Sequence, residues 1–303
     1  MRPLLASLLC LTLSQPAFPA IVILKRAWVE KFQNRATIDT RFLVEKSHSS
    51  PNAQKDDGDL HFAGQATVEI GLPTVAELVN ARQPFSKPAI QLIKDQVGTG
   101  TTINLTGVWR LWFEHPATSQ TQFSKFPPAK NTNPDHSFEV HPVLKVGSIT
   151  LEQAFDFIDG FPGHDAKKAF PFYNKQKITV RATKTAVTLE ANKSQFNYTA
   201  FEMVLMGKPE KLADNGIAVL ADVHNDEDED NPLARGIRMI FAPGTAGAKL
   251  ITGKQAGDRF NAIGIPRINL HEIFTAIKKS GTQQFTGSLP YEMIIVGIKP
   301  ADD

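Results

Sequence analysis

Two short stretches hold the residues best suited to chemistry: DGDLH at 57–61 and EVHPV at 139–143. Each sets a carboxylate two residues from a histidine. Side chains on a strand alternate between faces, so residues two apart share one face. Asp59 and His61 then lie together, opposite Leu60 and Phe62, and Glu139 and His141 lie opposite Phe138, Val140 and Pro142. If the two strands lie close, four polar groups meet, and Glu114 and His115 end a third strand nearby. A histidine oriented by a carboxylate is the working part of a hydrolytic dyad, which makes Asp59, His61, Glu139 and His141 the catalytic candidates. Three or four converging imidazoles and carboxylates also suit a divalent metal, with His61, His115, His141 and Glu139 as candidate ligands. The plain alternative is a polar barrel face whose groups bond one another. It is the leading expectation, because no spacing here is diagnostic of a ligand set. No cofactor is therefore assigned, and a divalent metal stays open.

Other motifs narrow the choice. HEIF at 271–274 has no second histidine four residues after His271, so the zinc-protease helix is excluded. GAKLITGKQ lacks the glycine spacing and the hydroxyl residue of a phosphate-binding loop, and no G-x-S-x-G occurs. The run 226–230 is acidic throughout but lacks the alternating ligands of a calcium loop, and reads as a solvated hairpin tip. In GVWRLWFEH, parity puts Trp109, Leu111 and Phe113 in a core and leaves Arg110 and Trp112 on the other side. There they could stack on bases or sugar rings, a candidate ligand site for single-stranded nucleic acid or glycan.

Strands must position these groups. β-branched and aromatic residues with partial alternation mark strands over 35–47, 58–70, 103–115 and 137–147, then over 177–191, 194–207, 216–225, 235–244 and 291–300. Helices are expected over 72–81, 87–97, 148–161 and 268–281, from apolar spacing, Pro73 at one start, and Gly160 and Gly281 at ends. The resulting fold class is mainly β: two small β-barrel-like, OB-like domains with a few short helices. The expected layout is a signal peptide at 1–20, a first barrel at 21–147, a helical connector at 148–176 and a second β-rich domain at 177–303. The halves share lettering, GLPTVAEL against GIPRINLHEIF and SFEVHPVLKVG against PYEMIIVGIKP, so the second domain is a candidate diverged repeat.

DDGDLHFAGQ, LPTVAELVNA, LTGVWRLWFEH and FEVHPVLKV together resemble a set of uncharacterised bacterial exported proteins with a DGDxH strand and an ExHPV strand. The resemblance covers about residues 35–147. It implies an OB-like domain and no particular activity.

Composition bounds the rest. The first twenty residues combine Arg2, an apolar run from Leu4 to Leu13 and small residues before Ala20, the pattern of a secretory leader. Cys10, the one cysteine, lies inside it, so a mature exported chain would keep its fold by core packing without disulfides. No later stretch is apolar enough to span a bilayer after signal removal. The formal net charge is +2, which gives no chain-wide field for a polyanion and makes nucleic acid a disfavoured partner. The expected function is a non-catalytic binding module in the periplasm or outside the cell, its partner an unknown ligand or an envelope protein. The alternatives are a hydrolase, metal-dependent or using the His–carboxylate cluster, and the nucleic-acid or glycan binder.

Overall fold

The computed structural model describes residues 19–115, 119–155, 163–225, 231–280 and 284–301. The leader-like 1–18 and the acidic run 226–230 lie outside them. In chain order, β1 (Ala20–Lys25) and α1 (Arg26–Phe32) lead into β2 (Thr37–Ser47), β3 (Leu60–Ala66), β4 (Pro73–Leu78), α2 (Lys87–Gln96), β5 (Thr102–Leu111), β6 (Ser119–Thr121), β7 (Phe138–Val146) and β8 (Ile149–Thr150). Next come β9 (His164–Asp165), α3 (Ala166–Lys175), β10 (Lys177–Ala182) and β11 (Ala186–Ala191). The chain ends with β12 (Thr199–Leu205), β13 (Glu210–Lys211), β14 (Ile217–His224), β15 (Ala234–Phe241), α4 (Ala246–Ile251), β16 (Arg259–Ile268), α5 (Leu270–Ser280), β17 (Gln284–Ser288) and β18 (Tyr291–Pro300).

Two closed five-stranded barrels result. In the first, β2 pairs with β3, β3 with β4, β4 with β7, β7 with β5 and β5 with β2, all antiparallel except β4–β7. The second repeats this connectivity with β12, β14, β15, β16 and β18, and its one parallel closure is β15–β18. Each barrel has a helix between its third and fourth strands, α2 and α4. These are OB-type barrels, and the mainly β fold class holds. A third sheet, ordered β17-β10-β11-β1-β6, draws strands from the start of the chain, from between the barrels and from within both. No helix among the described residues is long and apolar enough to cross a membrane.

Two expected helices are corrected. Residues 72–81 hold β4, not a helix. The spacing of Val75, Leu78 and Val79 fits either period in so short a run, and Thr74 and Val75 are β-branched. Here β4 is paired on both edges and buried on both faces, so barrel closure decides the backbone. Over 148–155 the chain forms β8 and a single 3-10 turn, Glu152–Ala154, instead of the start of a helix. The rest of that expected helix, 156–161, lies outside the described residues. The expected helices at 87–97 and 268–281 match α2 and α5.

The barrels pack through the outer faces of their fourth and fifth strands. Val108 and Leu144 of the first barrel share an apolar cluster with Ile263, Ile265, Ile294 and Val296 of the second. Two buried ion pairs flank that seam. Arg110 lies opposite Glu139 between β5 and β7, and Arg267 lies opposite Glu292 between β16 and β18. Each arginine crosses to the other barrel: Arg110 Nε donates to Pro266 O at 3.0 Å, and Arg267 Nη1 donates to Trp109 O at 3.0 Å. Arg267 also donates to Ala36 O and Arg35 O, and its guanidinium lies 3.6 Å from the centre of the Trp109 ring.

These contacts set a stability prediction. Arg267→Met leaves Glu292 buried with Arg238 as its remaining ion-pair partner, and is expected to cost about 3–5 kcal/mol in urea unfolding. Adding Glu292→Gln should recover part of that loss, because the double change no longer buries an unmatched charge.

Candidate functional site

The first barrel places its polar residues by register. His61 on β3 lies opposite Glu77 on β4, and Val75 on β4 lies beside Glu139 on β7. β4 therefore stands between the two strands that carry the sequence candidates, and Glu77 bridges them. The close approach of β5 to β7 depends on Gly107, beside two register irregularities. A Cβ there would meet Val140 Cγ1 at 2.4 Å and Pro142 O at 2.7 Å.

All four catalytic candidates belong to one network. His141 Nδ1 lies 3.2 Å from Glu139 Oε2 and 3.4 Å from Glu77 Oε2. Its Nε2 lies 2.8 Å from Tyr198 Oη and 3.5 Å from Asp59 Oδ2. The Tyr198 hydroxyl donates to Asp59 Oδ2. His61 Nε2 is 3.2 Å from Glu77 Oε2. Glu139 is bonded further by Arg110 Nη1 at 2.5 Å and His136 Nε2 at 3.1 Å, and Arg110 Nη2 donates to Glu114 at 3.0 Å. His115 is drawn aside and stacks on His136 at 5.3 Å between ring centres.

The network is sealed rather than solvent-facing. Asp59, Glu77, Glu139 and His141 are each no more than 4% exposed, and Tyr198, from the second half of the chain, lies against His141 and Asp59. A polar outer barrel face thus becomes an interior one. The same cover corrects the expected stacking platform: Arg110 and Trp112 are 0% and 1% exposed. Arg110 is spent on Glu139, Glu114 and Pro266, and the Trp112 ring packs edge-on against Tyr173. Neither can meet a ligand. Sequence reasoning missed Glu77 and Tyr198. The first was lost when 72–81 was read as a helix, and the second lies 139 residues from the aspartate it bonds.

Burial and neighbouring charges set the protonation between them. It raises Asp59 to about 6, against the opposing pull of His141, and Glu77 to about 7, with Glu139 adding to the rise. Burial would lower His141, but the Glu77 charge and the bonds to Asp59 and Glu139 outweigh it and lift it to about 10. Burial would also raise Glu139, yet Arg110 and the two histidines hold it well below the usual carboxylate range.

A more open feature lies elsewhere on the first barrel. A groove of about 260 Å³ runs between β3, β4 and the segment leading from β6 toward β7, lined among others by Gln65, Pro73, Phe126, Pro127, Pro128 and Lys130. Glu45 orders it, accepting from Gln65 Nε2 at 2.9 Å and from the Ala129 amide at 2.6 Å.

No family model matches the chain, and no curated protein does. Among solved structures, it is similar to the single-stranded DNA-binding protein from Thermus aquaticus. A deletion mutant of that protein is 8% identical, with 88% of this chain and 94% of that one covered and a TM-score of 0.24. The wild type is 10% identical, with coverages of 89% and 95% and a TM-score of 0.23. Scores of this size carry no argument about a ligand of this chain. Both matches are, by name, a single-stranded DNA-binding protein, a finding that stands against the expectation that nucleic acid is a disfavoured partner. That expectation took a charge averaged over the whole chain as a measure of every groove on it.

Two predictions follow from the network. Tyr198→Phe removes the hydroxyl that bonds Asp59 and is expected to cost about 1–3 kcal/mol in chemical denaturation. The second concerns pH. A buried carboxyl whose folded pKa is raised lowers stability once ionised. An imidazole whose folded pKa is raised gives stability that is complete below its unfolded value of 6.5 and is lost as pH rises toward about 10. Glu77 and His141 therefore act with the same sign, and the melting temperature of chelator-treated protein should fall steadily from about pH 6 to pH 9. Glu77→Gln should flatten that slope.

Proposed function

We propose that this chain is a non-catalytic binding module whose ligand lies in the groove of the first barrel. The position of that groove carries the reading. In OB-type barrels the second and third strands and the loop between the fourth and fifth form the face that takes oligonucleotides and oligosaccharides. Here those parts are β3, β4 and the segment between β5 and β7, and the groove lies among them. Phe126 is half-buried and offers a ring, Pro127 and Pro128 stiffen the wall, and Gln65 and Lys130 supply polar groups. An extended chain with flat faces suits such a surface. Catalysis by the His–carboxylate network would need a substrate to reach groups that are buried. The leader-like pattern within residues 1–18 supports an exported location, where a core without disulfides keeps its fold.

The test is titration with labelled single-stranded oligonucleotides and, separately, with neutral oligosaccharides of similar length. Binding of either class that weakens at least about tenfold in Phe126→Ala, at unchanged melting temperature, is the expected result. Binding of neither class, or binding indifferent to Phe126, overturns the groove as the ligand site.

A further inference from the structure

We propose that Asp59, Glu77, His141 and His61 form a structural centre for a divalent transition-metal ion of the zinc class, set where the first barrel meets the second half of the chain. One oxygen of Asp59, one of Glu77 and one ring nitrogen of His141 lie within 4.8 Å of one another. Tetrahedral zinc with bonds of about 2.0–2.1 Å holds its ligand atoms roughly 3.3 Å apart. Around Glu77 Oε2, His61 Nε2 lies at 3.2 Å and His141 Nδ1 at 3.4 Å, close to that spacing, while Asp59 Oδ2 approaches the opposite nitrogen of the His141 ring, Nε2, at 3.5 Å.

Unsatisfied atoms are the second observation. Buried polar atoms are ordinarily hydrogen-bonded. Asp59 Oδ1, Glu77 Oε2 and both nitrogens of His61 are not, although Asp59 is fully buried and Glu77 nearly so. Nearby arginine charge does not serve them, because Arg110 is committed to Glu139, Glu114 and the Pro266 carbonyl. Two buried carboxylates are thus left to share the imidazoles of His141 and His61, a balance that a dication would complete.

Donor chemistry selects the ion. Two carboxylates with two imidazoles suit zinc, manganese or cobalt, whereas calcium and magnesium take oxygen donors. Whichever nitrogen of His141 takes the ion, the other keeps an oxygen partner: Glu139 at Nδ1 or Tyr198 at Nε2. Such outer partners fix the ring of a metal-bound histidine. His61 lies at the rim, its side chain 14% exposed and stacked on His48 at 5.0 Å between ring centres, which gives the ion a way in. Tyr198, just before β12, ties the centre to the second barrel, so the ion would hold the two halves together.

The experiment uses the full chain, stripped with chelator and then given zinc, manganese, calcium or magnesium chloride. Metal content is read by mass spectrometry and stability by thermal melting. One zinc per chain, with a melting temperature raised by zinc or manganese and unmoved by calcium and magnesium, is the expected result. Glu77→Gln and the rim variant His61→Ala should each weaken zinc binding at least tenfold, and His61→Ala decides the matter if Glu77→Gln does not fold. No bound metal, a response to calcium or magnesium alone, or zinc binding unchanged in His61→Ala would overturn the proposal. His61→Ala should leave Phe126-dependent ligand binding intact, so failure here is distinct from failure of the groove.

Discussion

The structure depends on two arginines that have been taken wholly out of water. Arg110 and Arg267 are both 0% exposed, each paired in register with a glutamate on the neighbouring strand of its own barrel. A glutamate cannot satisfy five guanidinium donors by itself. Among the remaining bonds each arginine makes one to a backbone carbonyl of the other barrel, Pro266 for Arg110 and Trp109 for Arg267, each the residue just before the opposite arginine. Each barrel therefore completes the other's ion pair. Separating them would expose the apolar seam and leave both pairs short of donors' partners, which is why the barrels dock at one fixed register.

Docking changes what the first barrel's polar face can do. On an isolated barrel, Glu139, His141, Glu77 and Asp59 would line an outer surface open to substrate. Under the second half of the chain they form an interior network, with a raised His141 facing raised carboxyls. Geometry that would suit a hydrolase is thereby removed from solvent, while geometry that would suit a structural ion is kept. Surfaces the seam does not touch stay open to solvent, the groove beside Phe126 among them.

Much of this was legible in the sequence. Period-two sidedness correctly put Asp59 with His61 and Glu139 with His141, because a strand's alternation survives any tertiary arrangement. It also put Trp109 and Leu111 inside the barrel. It could not say what covers the opposite face, so Arg110 and Trp112 read as exposed when the second half buries them. Glu77 was hidden by a run too short to separate helix from strand. Tyr198 was hidden by distance along the chain, since nothing local marks a hydroxyl as the partner of an aspartate in another domain.

The two barrels are alike at the seam and unlike beside it, and that contrast locates the chemistry. Both carry an arginine on the fourth strand facing a glutamate on the fifth. Two residues beyond the glutamate, on the same face, the first barrel has His141 and the second has Ile294. Ile294 is fully buried in the apolar cluster of the seam, whereas His141 meets three carboxylates and a tyrosine. The ion pair is thus what docking requires of both barrels. The histidine is not: an isoleucine fills the corresponding place without loss of the fold. The cost of burying Asp59, Glu77 and His141 together is borne in one barrel alone, which sets that cluster apart from the ion pairs that both barrels share.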